Sequence, residues 1–213
     1  MRGLFVTSEG GEGSGKSTQL SRLAERLRER GLDALVTREP GGTPVAEGIR
    51  SLLLDPALAP GAIAEALLMV AARAELVATA IRPALEAGRV VLCDRYADST
   101  LAYQGAGRGL DLRLLREWNR VATGGLGPAL TLLFDLDPEV GLSRRGDAAG
   151  VPNRLDRESL AFHARVRAQY LELARAEPGR IVVIDAARPP GLVEAEAWEA
   201  LSARLERTGA SRP

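Results

Sequence analysis

Between an apolar run, RGLFVTS at residues 2–8, and a stretch with Leu20, Leu23, Ala24 and Leu27 at helical spacing lies GGEGSGKST, residues 10–18. Gly10 to Ser17 satisfy the pattern G-x-x-x-x-G-K-[ST] in full, in the strand–loop–helix setting that the pattern requires. Four glycines among residues 10–15 let backbone N–H groups turn inward around an anion, and the first turn of the following helix adds its partial positive charge. The stretch therefore predicts a phosphate-binding loop at the end of a first strand. A dinucleotide fingerprint is excluded, because Lys16 stands where G-x-G-x-x-G needs its last glycine.

The rest of the chain repeats that alternation. A second strand is expected near 34–37, a third in VVLC before Asp94, a fourth near 129–137 and a fifth near 180–186. Between them fall helical stretches near 17–30, 61–87, 111–122, 157–176 and 191–207, with a further helix through IRSLLL. Near-continuous apolar strands alternating with amphipathic helices predict an α/β fold: a doubly wound, five-stranded parallel sheet with helices on both faces. With 213 residues, no repeat and no long linker, a single domain over 1–213 is expected. SRRGDAAGVPNR reads as an irregular loop, and TGASRP as a short flexible tail.

Charge narrows the function. Acidic and basic residues balance at 28 each, so no global field favours nucleic acid or a membrane surface. No apolar run reaches the roughly 18 residues of a membrane span, and no signal-peptide pattern opens the chain, so a cytoplasmic protein is expected. Lys16 is the only lysine, which removes the Asn/Thr-Lys-x-Asp base reader of guanine-nucleotide switches. A compact ammonium on a flexible stem can follow a phosphoryl group as it moves, whereas a planar guanidinium clamps. Gly10, Gly11, Glu12, Gly13, Ser14, Gly15, Lys16, Ser17 and Thr18 are thus the candidate ATP-binding residues. Lys16 would reach the β- and γ-phosphates, and Ser17 would offer its hydroxyl to Mg²⁺.

Arginines cluster elsewhere: Arg38 and Arg95 after strands, Arg73 in a largely apolar helix, and Arg144, Arg145 and Arg154 in the irregular loop. In a doubly wound sheet, strand ends face the ligand crevice, so Arg38 and Arg95 are expected to share a cleft with the glycine loop. Arg73 reads either as a surface residue or as one with a specific partner. The loop arginines read either as solvated or as a lid that brings a guanidinium onto a transferring phosphoryl group. A nucleoside monophosphate acceptor suits this set: its second pKa of about 6 leaves an ionised oxygen near neutral pH, so no general base is needed. Lys16, Arg95 and a lid arginine would then act catalytically by neutralising charge, with Asp94 holding the metal through water.

Three segments, REPGGT at 38–43, AAR at 71–73 and DRYADSTLAYQGAGRG at 94–109, together with the glycine loop and RAQYLELA at 167–174, resemble the bacterial thymidylate kinases. The resemblance runs from about residue 2 to 186. It implies transfer of the γ-phosphate of ATP to dTMP with Mg²⁺ in dTTP biosynthesis, in a cytoplasmic homodimer. It also implies site roles: Glu12 near the 3′-hydroxyl and acceptor phosphate, Arg38 and Arg95 on that phosphate, and Arg73 toward the thymine 4-carbonyl. Ser99, Thr100 and Gln104 would lie along the dTMP site, and Tyr103 where a ribose 2′-hydroxyl would stand. Gly13 resembles the class whose catalytic arginine comes from the lid at about 143–156, with Arg144, Arg145 and Arg154 as candidates. Two departures stand out. Met69 replaces a phenylalanine that commonly stacks on the base, and Asn153-Arg154-Leu155-Asp156 replaces Asp-Arg-x-Glu. Another nucleoside or nucleoside monophosphate kinase and a non-catalytic ATP sensor are the competing functions.

Four other residues read as structural. Cys93 is expected as a buried thiol, His163 as exposed or packed against a helix, and Trp118 and Trp198 as core.

Overall fold

A computed structural model describes residues 3–147 and 154–208. Five strands, β1 (Leu4–Glu9), β2 (Ala34–Arg38), β3 (Val90–Asp94), β4 (Leu130–Asp135) and β5 (Ile181–Asp185), form one all-parallel sheet in the order β2-β3-β1-β4-β5. The chain crosses from β1 to β2, returns through β3, and then continues on the other side of β1 with β4 and β5. The strand order therefore reverses at β1, and the crevice beyond its carboxyl end is where a ligand binds in such sheets. The sequence expectation of five parallel strands holds.

Side chains alternate between the faces, so each strand feeds two cores. Leu4, Val6, Val90, Leu92, Leu132 and Phe134 pack against α1 (Lys16–Glu29) and α9 (Pro190–Thr208). Phe5, Val91 and Cys93 face α3 (Ala62–Leu76), a π-helical turn at Val77–Ile81, and α4 (Arg82–Glu86). Leu133 and Ile181 face α6 (Leu112–Thr123) and α8 (Leu160–Ala176) on that same side. Of the remaining helices, α2 (Pro44–Leu54) packs on α3, α5 (Ala97–Thr100) follows β3, and α7 (Pro138–Asp147) follows β4.

Two expectations change in detail. The helical run anticipated at 61–87 is interrupted before Pro83, which has no N–H to give; the Arg82 N–H instead reaches back five residues to the Val77 carbonyl. The irregular loop does not begin at Ser143. Helix α7 continues to Asp147, started by Pro138 and by the Asp137 carboxylate, which accepts from the Glu139 N–H at 3.0 Å. Arg144 and Arg145 thus sit on a helix rather than a loop. Of the anticipated lid, 148–153, including Asn153, lie outside the described residues, as does the tail from 209.

Candidate active site

The register aligns Ser8 with Asp94 and Asp94 with Arg38, which brings the ends of β1, β3 and β2 to one level beside the glycine loop. Gly15, at φ 82°, caps α1 without a side-chain acceptor, and no acidic residue occupies the first turn. The opening N–H groups are therefore not claimed by a cap, which suits an anion. Lys16 is buried, and its Nζ donates to the Gly11 carbonyl at 2.6 Å and to Ser14 Oγ at 3.2 Å. Burial first, then the charge of Arg95, lowers its pKa to about 8. Ser17 Oγ donates to Asp94 Oδ2 at 2.6 Å, while Ser8 Oγ donates to Oδ1 at 3.3 Å.

Gly13 has a steric reason to be glycine. Its φ is 66°, and a Cβ there would fall on the carbonyl oxygen of Gly141 in α7; a Cβ on Gly141 would in turn meet the Glu12 carbonyl. The glycine loop and α7 touch backbone to backbone, so no side chain can be inserted between them. On α7 itself, Arg144 and Arg145 line the cavity beside the loop.

Two adjoining cavities open at the strand ends. The first is lined by Glu12 to Thr18 together with Arg38, Asp94, Arg144 and Arg145. The second is lined by Met69, Arg73, Ser99, Thr100, Tyr103 and Gln104, with Pro40, Leu54 and Leu155. Glu12, Glu39, Arg50 and Arg95 line both. The predicted acceptor residues therefore converge, with one exception: Arg38 lies on the loop side, half exposed and paired with Glu47 at 2.8 Å.

Arg95 occupies the boundary. Its Nη2 donates to Glu12 Oε1 at 2.7 Å, its Nη1 to the Gly10 carbonyl at 3.2 Å, and its guanidinium lies 4.8 Å from the Tyr103 ring centroid. Tyr103 Oη also donates to Glu12 Oε1, at 2.9 Å. Burial alone would raise the Glu12 pKa, but the charges of Arg95 and Lys16 and the Tyr103 hydroxyl hold it down to about 2. Glu12 is thus a permanent carboxylate and no proton acceptor at working pH.

Arg73 resolves the choice left by its sequence context: it is 2% exposed and has specific partners. Nε and Nη2 donate to Glu39 Oε2 at 2.8 and 2.6 Å, Nη1 to Thr100 Oγ1 at 2.8 Å and Asn119 Oδ1 at 2.5 Å, and Nη2 to the Tyr96 carbonyl at 2.9 Å. All five N–H groups of the guanidinium are engaged. The ion pair with Glu39 keeps Arg73 charged despite its burial, its pKa lying above the usual value.

The three lid candidates separate. Arg144 donates to the Ala186 carbonyl at 3.1 Å, Arg145 pairs with Asp156 at 3.3 Å, and both line the glycine-loop cavity. Arg154 faces away, pairing with the buried Glu65 at 2.5 Å and donating to the Leu53 carbonyl at 3.2 Å. Glu65 also accepts from Gln104 at 2.8 Å and from Arg108. Arg154 is therefore fastened to the back wall of the second cavity.

Sequence reasoning missed Glu9, Glu39, Arg50, Glu65 and Tyr170. Glu9 is the one charged residue closing the apolar β1 run, an anomaly that could have flagged it. Arg50 was visible only as a polar residue on an amphipathic helix, and no signal distinguished it. Cys93 is buried as expected; burial raises its thiol pKa, and Sγ donates to the Arg95 carbonyl at 3.1 Å. His163 is buried on α8, edge-on to Phe162 at 5.4 Å. Trp118 and Trp198 are only partly buried, at the margins of the core, with Arg30 lying 4.6 Å from the Trp198 ring centroid.

Among the described residues, no helix is long and apolar enough to cross a membrane. A doubly wound parallel sheet with a complete G-x-x-x-x-G-K-[ST] loop leading from β1 into α1 defines a P-loop NTPase fold. A family model described as thymidylate kinase matches residues 8–197. The chain is 56% identical to a thymidylate kinase of Deinococcus radiodurans over 203 residues, covering 95% of this chain and 98% of that one. It is 57% identical to a thymidylate kinase of Thermomicrobium roseum over 204 residues, covering 95% and 96%. A crystal structure of thymidylate kinase from Ehrlichia chaffeensis superimposes with a TM-score of 0.75 at 33% identity, over 94% of this chain and 99% of that one. The chain belongs to the thymidylate kinase family and is an enzyme of that family.

Proposed function

We propose that this chain transfers the γ-phosphoryl group of ATP to dTMP, giving dTDP and ADP, as a step toward dTTP. The observation that carries the reading is the shared wall. Glu12, Glu39, Arg50 and Arg95 line both cavities, so two phosphates, one from each side, would meet across them. The glycine loop takes the donor phosphates. Lys16 exchanges its contacts with Gly11 and Ser14 for phosphate oxygens, and its lowered pKa returns upward as anionic charge arrives. Arg95 and Arg50 hold the acceptor phosphate, with Arg38 at the cleft's open edge. Thr100, Gln104 and Tyr103 line the base and sugar region, and Met69 covers the ring with a flexible thioether in place of an aromatic. Arg73 reaches the base by sharing the Nη1 hydrogens that Thr100 and Asn119 now accept.

The acceptor oxygen is already ionised near neutral pH, so attack on the γ-phosphorus needs orientation and charge neutralisation rather than proton removal. The Glu12 pKa of about 2 agrees with that division of labour: Glu12 fixes Arg95 and Tyr103 and takes no proton. Arg144 or Arg145, on the α7 segment that touches Gly13, supplies the guanidinium for the transferring group. Ser17 Oγ and the Asp94 carboxylate, 2.6 Å apart at the loop mouth, suit a Mg²⁺ that arrives with the nucleotide and keeps most of its waters. Among the described residues no cluster of three His, Cys, Asp or Glu offers a separate metal cage. Held by Ser17 and Asp94, Mg²⁺ would offset the charge of the donor phosphates.

A homodimer acting in the cytoplasm completes the proposal. Exposed Val45 and Leu52 of α2, Ile63 and Leu67 of α3, and Leu114 and Val121 of α6 lie on three neighbouring helices, an apolar surface suited to a second copy. The test is Arg95→Ala, assayed with dTMP and ATP varied in turn. Loss of one charge-assisted phosphate contact should lower kcat/KM for dTMP by roughly 10–150-fold with ATP binding nearly unchanged; unchanged turnover at low dTMP would remove Arg95 from the site.

A further inference from the structure

Arg95 is the one non-glycine residue among those described with a positive φ, 69°. A side chain in this left-handed region persists only where its surroundings over-determine it. The backbone on both sides of Arg95 is tied to the end of β1. The Arg95 N–H donates to the Ser8 carbonyl at 2.9 Å, and the next N–H, that of Tyr96, donates to Glu9 Oε1 at 2.7 Å. Glu9 itself is fully buried at the last position of β1.

The other carboxylate oxygen faces the guanidinium's remaining neighbours. Glu9 Oε2 accepts from Ser99 Oγ at 2.6 Å and from Tyr170 Oη at 2.9 Å. Those same hydroxyl oxygens lie 3.5 and 3.4 Å from Arg95 Nη1. A hydroxyl has one hydrogen, so a hydroxyl that donates to the carboxylate turns lone pairs elsewhere. The two hydroxyl oxygens also lie 2.8 Å from each other, so three contacts share two hydrogens; a hydroxyl whose hydrogen goes to Glu9 presents only acceptor lone pairs to the cation. One carboxylate thereby fixes the strained peptide after Arg95 and sets the hydrogen-bond polarity around its guanidinium.

We infer that Glu9 is the positioning residue for acceptor-phosphate binding: its carboxylate holds Arg95 in the left-handed conformation and turns the Ser99 and Tyr170 hydroxyls to accept from it. Glu9 lines neither of the two cavities and acts through the residues it holds, Arg95 above all and Ser99 beside it. The inference rests on the assignment of Arg95 to the dTMP phosphate. It also explains a charged residue at the end of an otherwise apolar strand, and why Tyr170, on the distant helix α8, is drawn into the site.

Glu9→Gln separates geometry from polarity because it keeps the shape. The amide oxygen can accept from the Tyr96 N–H, but the NH₂ then faces Ser99 and Tyr170, whose hydroxyls must accept from it and point hydrogens toward Arg95. KM for dTMP and for ATP, and kcat, are measured at pH 8 for wild type, Glu9→Gln, Tyr170→Phe and Arg95→Ala, with melting curves as the fold control. Glu9→Gln should raise KM for dTMP by about 10-fold while KM for ATP stays within about twofold. Tyr170→Phe should move the same constant in the same direction by less, and decides the matter should Glu9→Gln fold poorly. Wild-type dTMP affinity in Glu9→Gln or Tyr170→Phe, or equal rises in both KM values, would overturn the positioning role. A wild-type KM for dTMP in Arg95→Ala would instead overturn the Arg95 assignment beneath it.

Discussion

Replacing Arg73 by methionine removes all five donors of a guanidinium that is 2% exposed, while Glu39, its ion-pair partner at 2.6 Å and equally buried, remains. Breaking such a pair leaves an uncompensated buried charge, which costs about 3–5 kcal/mol, more than the pair contributes over an apolar substitute. For a chain of this size each kcal/mol moves Tm by about 2–4 °C, so Arg73→Met should melt roughly 6–20 °C below wild type. Part of that loss belongs to Glu39 and can be returned. Replacing both residues, Arg73→Met with Glu39→Leu, removes the stranded charge, although Thr100, Asn119 and the Tyr96 carbonyl still lose a donor. The double variant should therefore recover about half of the loss. Thermal and urea unfolding of the two single variants and the double variant form the cycle. A single-variant drop under 2 °C, or a double variant no more stable than Arg73→Met, would refute the view of Arg73 as a charge anchored by Glu39.

Three further outcomes follow from the geometry. Gly13→Ala places an L side chain at φ 66° against the Gly141 carbonyl; it should lower stability by about 1–2 kcal/mol from backbone strain alone, and lower kcat by more than about 10-fold as α7 is pushed aside, read by melting and steady-state kinetics. Alanine at Arg144 or Arg145 should reduce kcat by about 10³-fold for whichever residue meets the transferring phosphoryl group, whereas Arg154→Ala, which loses the Glu65 contact, should chiefly raise KM for dTMP. Burial and the Asp98 charge raise the Glu9 pKa from 4.5 to about 7, against the pull of Ser99, Arg95 and Tyr170. The folded state then holds a proton that the unfolded chain releases. Its contribution is present below pH 4.5 and lost as pH rises through 7, so wild type should lose up to about 3 kcal/mol relative to Glu9→Gln between pH 4.5 and 8, measured by urea unfolding.

The fold was legible because its signals are local and periodic. The glycine loop marks the end of β1, and near-continuous apolar runs alternate with amphipathic helical ones. Several residues that line the second cavity were also legible, through the block from Asp94 to Gly109. What escaped depends on contacts distant in sequence: Glu9 with Tyr170 across 161 positions, Arg154 with Glu65 across 89, and Gly13 against Gly141. The extension of α7 through Arg144 and Arg145 was missed because the Gly-, Pro- and Asn-containing stretch SRRGDAAGVPNR reads as a loop, although Asp137-Pro138 is a helix-start signal. Gly141 is there for its close approach to the loop rather than for a turn. Strand-end logic put Arg38 in the cleft of the glycine loop, and it lines that cavity, where its side chain pairs with Glu47 of α2, a contact the sequence did not signal.

The most direct measurement is transfer itself: purified protein with Mg²⁺ and γ-labelled ATP, offered dTMP, dUMP, AMP, GMP and CMP in turn, with labelled diphosphate separated and counted. Two phosphate sites meeting at Arg95, beside a pocket lined by Met69, Thr100 and Gln104, predict labelled dTDP in quantity with dTMP and far less product with the purine monophosphates. Equal labelling of AMP, or bound ATP that labels no acceptor, would contradict it.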